Sequence, residues 1–290
     1  MRAKTHNFII GLMTVALVAA LSFYFFESQT YLLGSHSLRI QLEELHRYYG
    51  ASGLYGHGLG FLAALLMLFL WLYIVRKRWN RLRGLGKLSQ WLKYHMWFGV
   101  AAPVLATFHS AFKFEGLIGV MYWAMIAVML SGIVGRYLYG HIPRRRDGHE
   151  LTSEQMNTEK AAKLRELQFE FGISAKDISI LTAITPAKTE GNVLVALSQL
   201  LWFDVMKRFQ VRKLLKQFGA RYGMAKNDLG YLKSTIEKQL DLGQRMLVLD
   251  SVSKVFHWWH VIHKPFAYAI FLVLILHILL TLSFGFTWIF

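Results

Sequence analysis

Four histidines define the chemistry this sequence can hold. His95 and His109 are fourteen residues apart, and so are His263 and His277. At about 100° per helical residue, fourteen steps end about 40° short of four full turns. Each pair therefore shares one helix face, its members about 21 Å apart along the axis. Cysteine is absent from the chain. That excludes disulfides, thiolate zinc sites, iron–sulfur clusters and covalently attached c-type haem. Any resident redox metal must be held by His, Met or carboxylate, and there are 12 histidines to choose from.

The two pairs also match in depth. His95 follows Trp91 by four residues and His263 follows Trp259 by four. Two helices running the same way, side by side, bring His95 opposite His263 and His109 opposite His277. Ligands split into two levels about 21 Å apart cannot surround one zinc or copper ion. A flat macrocycle gripped by one imidazole from each of two helices is how a helical bundle holds b-type haem. The pattern predicts two b-type haems ligated by His95, His109, His263 and His277. His257 and His260 lie off the ligand face by about 200° and 100° and are expected at the membrane interface.

The elements that must position these rings are apolar. Of the 290 residues, 54% are hydrophobic and 17% charged, against about 25% charged in soluble domains. Five segments are apolar enough to cross a bilayer, which takes about 20 residues. They are 8–26, 57–75, 91–112, 117–137 and 261–286. Trp71, Trp91, Tyr94, Tyr137, Trp258, Trp259 and Trp288 mark their ends as headgroup-level aromatics. The first run is too long for the core of a secretory leader and is read as a membrane helix. The expected fold is all-α: a bundle of five transmembrane helices with a helical cytoplasmic insertion. Helices one to four occupy 1–139, the insertion 140–256 and helix five 257–290.

Charge orients the bundle. With the N-terminus in the cytoplasm, 30 of the 33 Lys and Arg residues fall inside, leaving Arg39, Arg47 and Lys113 outside. The short loop with Arg76, Lys77, Arg78, Arg81 and Lys87 carries most weight. The formal charge of +16 is thus an orientation signal, and no nucleic-acid partner is expected. The C-terminus is expected on the periplasmic side of a bacterial inner membrane.

Within the insertion, Thr152-Ser153-Glu154-Gln155 has a capping-box pattern, followed by Leu164, Leu167 and Phe171 at helical spacing. Leu229, Leu232, Ile236 and Leu240 mark a second amphipathic helix. Between them, Val193–Met206 is apolar, too short to span, and followed by Lys207, Arg208, Arg212 and Lys213. It is expected to be a buried or interfacial helix whose basic end faces anionic headgroups.

Haem propionates need cations at the membrane edge, and Lys93, Arg136 and Lys264 lie at that depth. Gly99, Ala101, Ala102, Gly132, Gly135, Ala267 and Ala269 are small enough for a macrocycle, or a neighbouring helix, to approach the backbone. A quinol needs a proton acceptor near a haem edge. The outer candidates are Glu44, His46 and Tyr49, on a short helix expected to begin near Ser37, and His57 at the start of helix two.

The paired histidines on the third and fifth spans resemble the ferric-reductase-like transmembrane domain and the four-helix core of the cytochrome b superfamily. The resemblance covers about 90–140 and 257–290 and leaves the insertion out. It implies a di-haem membrane cytochrome. Departures are the lack of a sixth helix, of a flavin- or nicotinamide-binding domain and of a Pro-Glu-Trp-Tyr quinol signature. The expected function is therefore an electron-transfer subunit moving electrons between the quinone pool and partner redox subunits, either a multihaem cytochrome or a flavin/iron–sulfur protein. The alternatives are a terminal ferric-type reductase acting at an exposed haem edge, and a non-redox transporter or assembly factor.

Overall fold

The computed structural model describes residues 3–82, 84–141, 153–174, 177, 193–224 and 226–285. Among them all regular structure is helical. The helices are α1 (Ala3–Leu32), α2 (His36–Gln41), α3 (Glu43–Tyr49), α4 (Leu54–Arg78), α5 (Leu88–His109), α6 (Gly116–His141), α7 (Ser153–Phe171), α8 (Val193–Tyr222) and α9 (Lys226–Ser283). The chain divides into two compact units, residues 1–134 with 261–290 and residues 135–260.

Four helical stretches are long and apolar enough to cross a membrane: Lys4–Leu32, Glu43–Arg78, Gly116–Gly140 and Val255–Ser283. Helix α5 covers most of the remaining predicted span but is more polar than these four. Gln90, Lys93, His95 and His109 interrupt it, and Pro103 lies inside it. Its middle is nonetheless enclosed, with Ala101, Ala102 and Leu105 each 2% exposed or less. It also ends earlier than the expected Phe112. The chain turns after His109 through Ala111 and Phe112, both at positive φ (49° and 61°). Arg39 supports this unfavourable turn by donating to the Ala111 carbonyl at 3.1 Å.

One apolar core joins five helices of the first unit. It contains Leu21 of α1, Ala63, Leu66 and Met67 of α4, Ala101, Ala102 and Leu105 of α5, Met125 of α6, and Ile270 and Leu274 of α9. Between membrane helices such a layer holds by close van der Waals packing, which the small Ala63, Ala101 and Ala102 permit. Ala102 lies midway between His95 and His109, and Ile270 midway between His263 and His277. The packed layer thus falls between the two histidine levels.

The expected single helix near Ser37 is two short helices separated at Leu42. Ser35 caps the first, its hydroxyl accepting from the Leu38 amide at 3.3 Å. In the second unit, Ile173, Phe203, Val211, Leu214, Phe218, Leu232, Ile236 and Leu240 form the core. The helix expected around Leu229–Leu240 and the fifth predicted span belong to one element: no proline separates Lys226 from His263, and Gly230, Gly243 and Pro265 are accommodated inside α9. Thr152 of the capping pattern, the Leu167 and Phe171 side chains and Phe286 lie outside the described residues.

Candidate functional site

The helices that carry the two histidine pairs, α5 and α9, have the same two neighbours. Helix α5 meets α4 through His95 and His109, and meets α6 where the Thr107 and Tyr122 hydroxyls bond at 2.9 Å. Helix α9 meets α4 where Trp71 packs on Tyr268 and Phe271, ring centroids 5.3 and 4.7 Å apart. It meets α6 through His263 and Ser131. Helices α5 and α9 thus share α4 and α6 as neighbours. Facing helices of a bundle are where cofactor ligands project inward.

The imidazoles are oriented by hydrogen bonds on one nitrogen. His95 Nδ1 lies 3.1 Å from the Leu70 carbonyl and His109 Nδ1 lies 2.9 Å from the Gly56 carbonyl. A carbonyl only accepts, so Nδ1 carries the proton in both rings and Nε2 carries the lone pair. His263 Nδ1 lies 2.7 Å from Ser131 Oγ, whose own proton is directed to the Val128 carbonyl at 2.8 Å. Ser131 thus accepts, and His263 takes the same tautomer. Metal-ligating histidines are held in this way, with the distal N–H donated to a carbonyl or polar side chain and the other nitrogen presented to the metal.

At the outer level, His109, His277 and His57 are within electrostatic reach of one another. The His57 and His109 ring centroids are 6.5 Å apart. Gly60 makes the position of His109 possible. A Cβ there would fall 2.6 Å from its Cε1 and Nδ1, so no larger residue fits without displacing the ring. At the inner level, His95 packs against Tyr73 of α4, centroids 5.0 Å apart, while His263 packs against Ser131 and Gly132 of α6. Among the described residues no group of three or more His, Asp or Glu is placed to hold a bare metal ion. Imidazoles of fixed tautomer are donors that a macrocycle supplying its own remaining donors would accept, were one bound.

The candidate propionate partners have separate fates. Lys93 donates to Asn7 Oδ1 at 2.6 Å, Arg136 is exposed and lies over the Tyr139 ring at 5.6 Å, and Lys264 is exposed. The outer quinol set is likewise split. The His46 ring bonds the Tyr31 hydroxyl at 2.6 Å, Tyr49 packs edge-on against Tyr24, Glu44 is exposed, and only His57 adjoins a candidate ligand. Beside His95 a cavity of about 940 Å³ is lined by His6, Tyr73, Trp91, Lys93 and Tyr94, with His6 and Tyr94 hydrogen-bonded at 2.9 Å.

Ser131, Gly60 and the two α4 carbonyls were not singled out from sequence. The glycine run Gly56-His57-Gly58-Leu59-Gly60 carried the available signal, since small residues four apart mark close approach to a helix backbone. No family model matches the chain, and neither a curated protein nor a solved structure is similar to it.

Proposed function

We propose that the chain is a multi-pass membrane electron-transfer subunit that carries two b-type haems, one between His95 and His263 and one between His109 and His277. Bound haem supplies one-electron chemistry at its iron. The chain's own residues provide Nε2 donors of fixed tautomer, hold the rings through Leu70, Gly56 and Ser131, and exclude water with the Ala101, Ala102, Leu105 and Ile270 layer. In this reading α5 spans the membrane as a fifth helix shielded by its neighbours, and residues 140–256 form a cytoplasmic insertion in a bacterial inner membrane.

The observation that carries the proposal is the matched fourteen-residue spacing together with Nδ1 anchoring of three of the four rings. Quinone is assigned to the outer set Glu44, His46, Tyr49 and His57. The remaining redox partner in this reading is a multihaem cytochrome or a flavin/iron–sulfur subunit.

The test is haem stoichiometry of the purified chain by pyridine haemochrome, with dithionite-reduced-minus-oxidised spectra. Two haems per chain are expected, falling to one in H95A or H263A and in H109A or H277A. A correctly folded chain without b-type bands overturns the proposal.

A further inference from the structure

Helix α8 has two apolar faces, and only one of them is used by its own unit. Phe203, Val211, Leu214 and Phe218 are all 4% exposed or less and point into the core. On the opposite face, Val195, Trp202, Val205 and Phe209 are exposed, Trp202 at 67% and Phe209 at 62%. At about 100° per residue these four fall within an arc of about 80°. Arg212, Lys213 and Lys216, all exposed, continue the same stripe towards the C-terminal end of the helix. A soluble surface rarely leaves such a contiguous aromatic and aliphatic patch in water.

One hydrogen bond ties this stripe to the end of α6. Asp204 Oδ2 accepts from the Tyr137 hydroxyl at 2.6 Å. Tyr137 lies in the last turns of the candidate span Gly116–Gly140. Both residues belong to the second unit, where Trp259, at the start of the apolar part of α9, packs closely on Gly135. The apolar half of α8 is therefore tied to residues 135–140 of its own unit, the C-terminal end of α6, where Tyr137 is an aromatic of the headgroup type.

We infer that α8 is an interfacial helix that lies on the bilayer, its Val195–Trp202–Val205–Phe209 face sunk into the headgroup–acyl boundary and its Arg212–Lys213–Lys216 end on anionic headgroups. The apolar-then-basic division and the tether to a span commit the occupant to lipid. A protein partner would need no basic continuation and no such tether. Burial of such a face about 5–10 Å below the phosphates is usual for helices of this kind. The inference rests on α6 spanning the membrane and not on the haem assignment.

The chain has no cysteine, so single-cysteine variants report cleanly. Spin labels at W202C, V205C and K216C are read in nanodiscs of mixed phosphatidylglycerol and phosphatidylcholine, with L130C, exposed on α6, as the lipid reference. Oxygen should dominate relaxation at 202 and 205, as at 130, and a water-soluble nickel chelate at 216. Trp202→Phe should also remove a component of tryptophan emission quenched by brominated lipid. Nickel dominance at 202 and 205 with oxygen dominance at 130 overturns the inference alone. Protection from both reagents at 202 and 205 assigns the face to a protein partner or a second copy and also overturns it. Nickel dominance at 130 removes the membrane reading together with the inference.

Discussion

His109 donates its Nδ1 proton to the carbonyl of Gly56, and the same relationship recurs one level away between His95 and Leu70. Gly56 and Leu70 are fourteen residues apart on α4, as His95 and His109 are on α5. The antiparallel register of the two helices thus repeats with the ligand spacing. Ala63 and Ala102, both buried, sit midway on each helix. The tautomer that exposes Nε2 is set by backbone at both levels of α5.

Gly60→Ala tests the outer level. Its Cβ would fall 2.6 Å from the His109 ring. Overpacking of this kind costs about 1–3 kcal/mol, and here the ring is what must move. The expected result is one haem per chain instead of two, with the His95/His263 haem spectrum unchanged. Two haems with unaltered midpoint potentials would disconnect Gly60 from the site.

Ser131→Ala tests the inner level. It removes the acceptor of His263 Nδ1–H while leaving the helix intact. Loss of a hydrogen-bond partner behind a ligating histidine typically lowers affinity 10–100-fold. Haem loss under dilution should accelerate by that order, with one redox step shifting in potentiometric titration. Ser131→Thr, which keeps the hydroxyl, should restore both.

Electron entry from quinol is tested with Glu44→Gln combined with His46→Ala. Haem content should stay at two per chain while reduction by a short-chain quinol slows at least severalfold. If the rate is unaltered and Tyr94→Phe slows it, electrons enter through the cavity beside His95 instead of the outer set.

How much of this was legible in the sequence depends on which atoms carry it. The shared histidine faces were readable because the helical period and residue type suffice to place His95 with His109. The acceptors behind them were not. Leu70 and Gly56 act through main-chain carbonyls, selected by the α4–α5 register, which no side-chain pattern encodes. The split of the Glu44–Tyr49 set was also hidden, since it turns on Leu42 ending one short helix and preceding the next. The continuity of α9 was available in principle. No proline lies between Lys226 and His263 and the two glycines there are far apart, but the change from polar to apolar composition read as a boundary.

Acid should loosen the second unit. Asp177, 1% exposed, accepts from the Tyr222 hydroxyl at 2.6 Å and from Ser174, and pairs with Arg221. These donors, Tyr222 foremost, hold its carboxyl below the usual carboxylate range. A depressed folded pKa means the stabilisation is complete above the unfolded carboxylate value, about 3.9, and disappears as pH falls through the folded value. Amide exchange at Leu232 and Ile236 should quicken over that acidic window. Asp177→Asn should quicken it already at neutral pH and flatten the acid dependence. An Asn variant with wild-type exchange at both pH values would assign the acid sensitivity elsewhere.

Helix α4 carries neither histidine pair, yet it touches both imidazoles of α5, whereas α6 touches one imidazole of α9. A small rotation of α4 about its axis would therefore turn two rings in concert, like followers on one camshaft. Perturbations on its lipid side should shift both optical bands together, and perturbations of α6 should shift a single band.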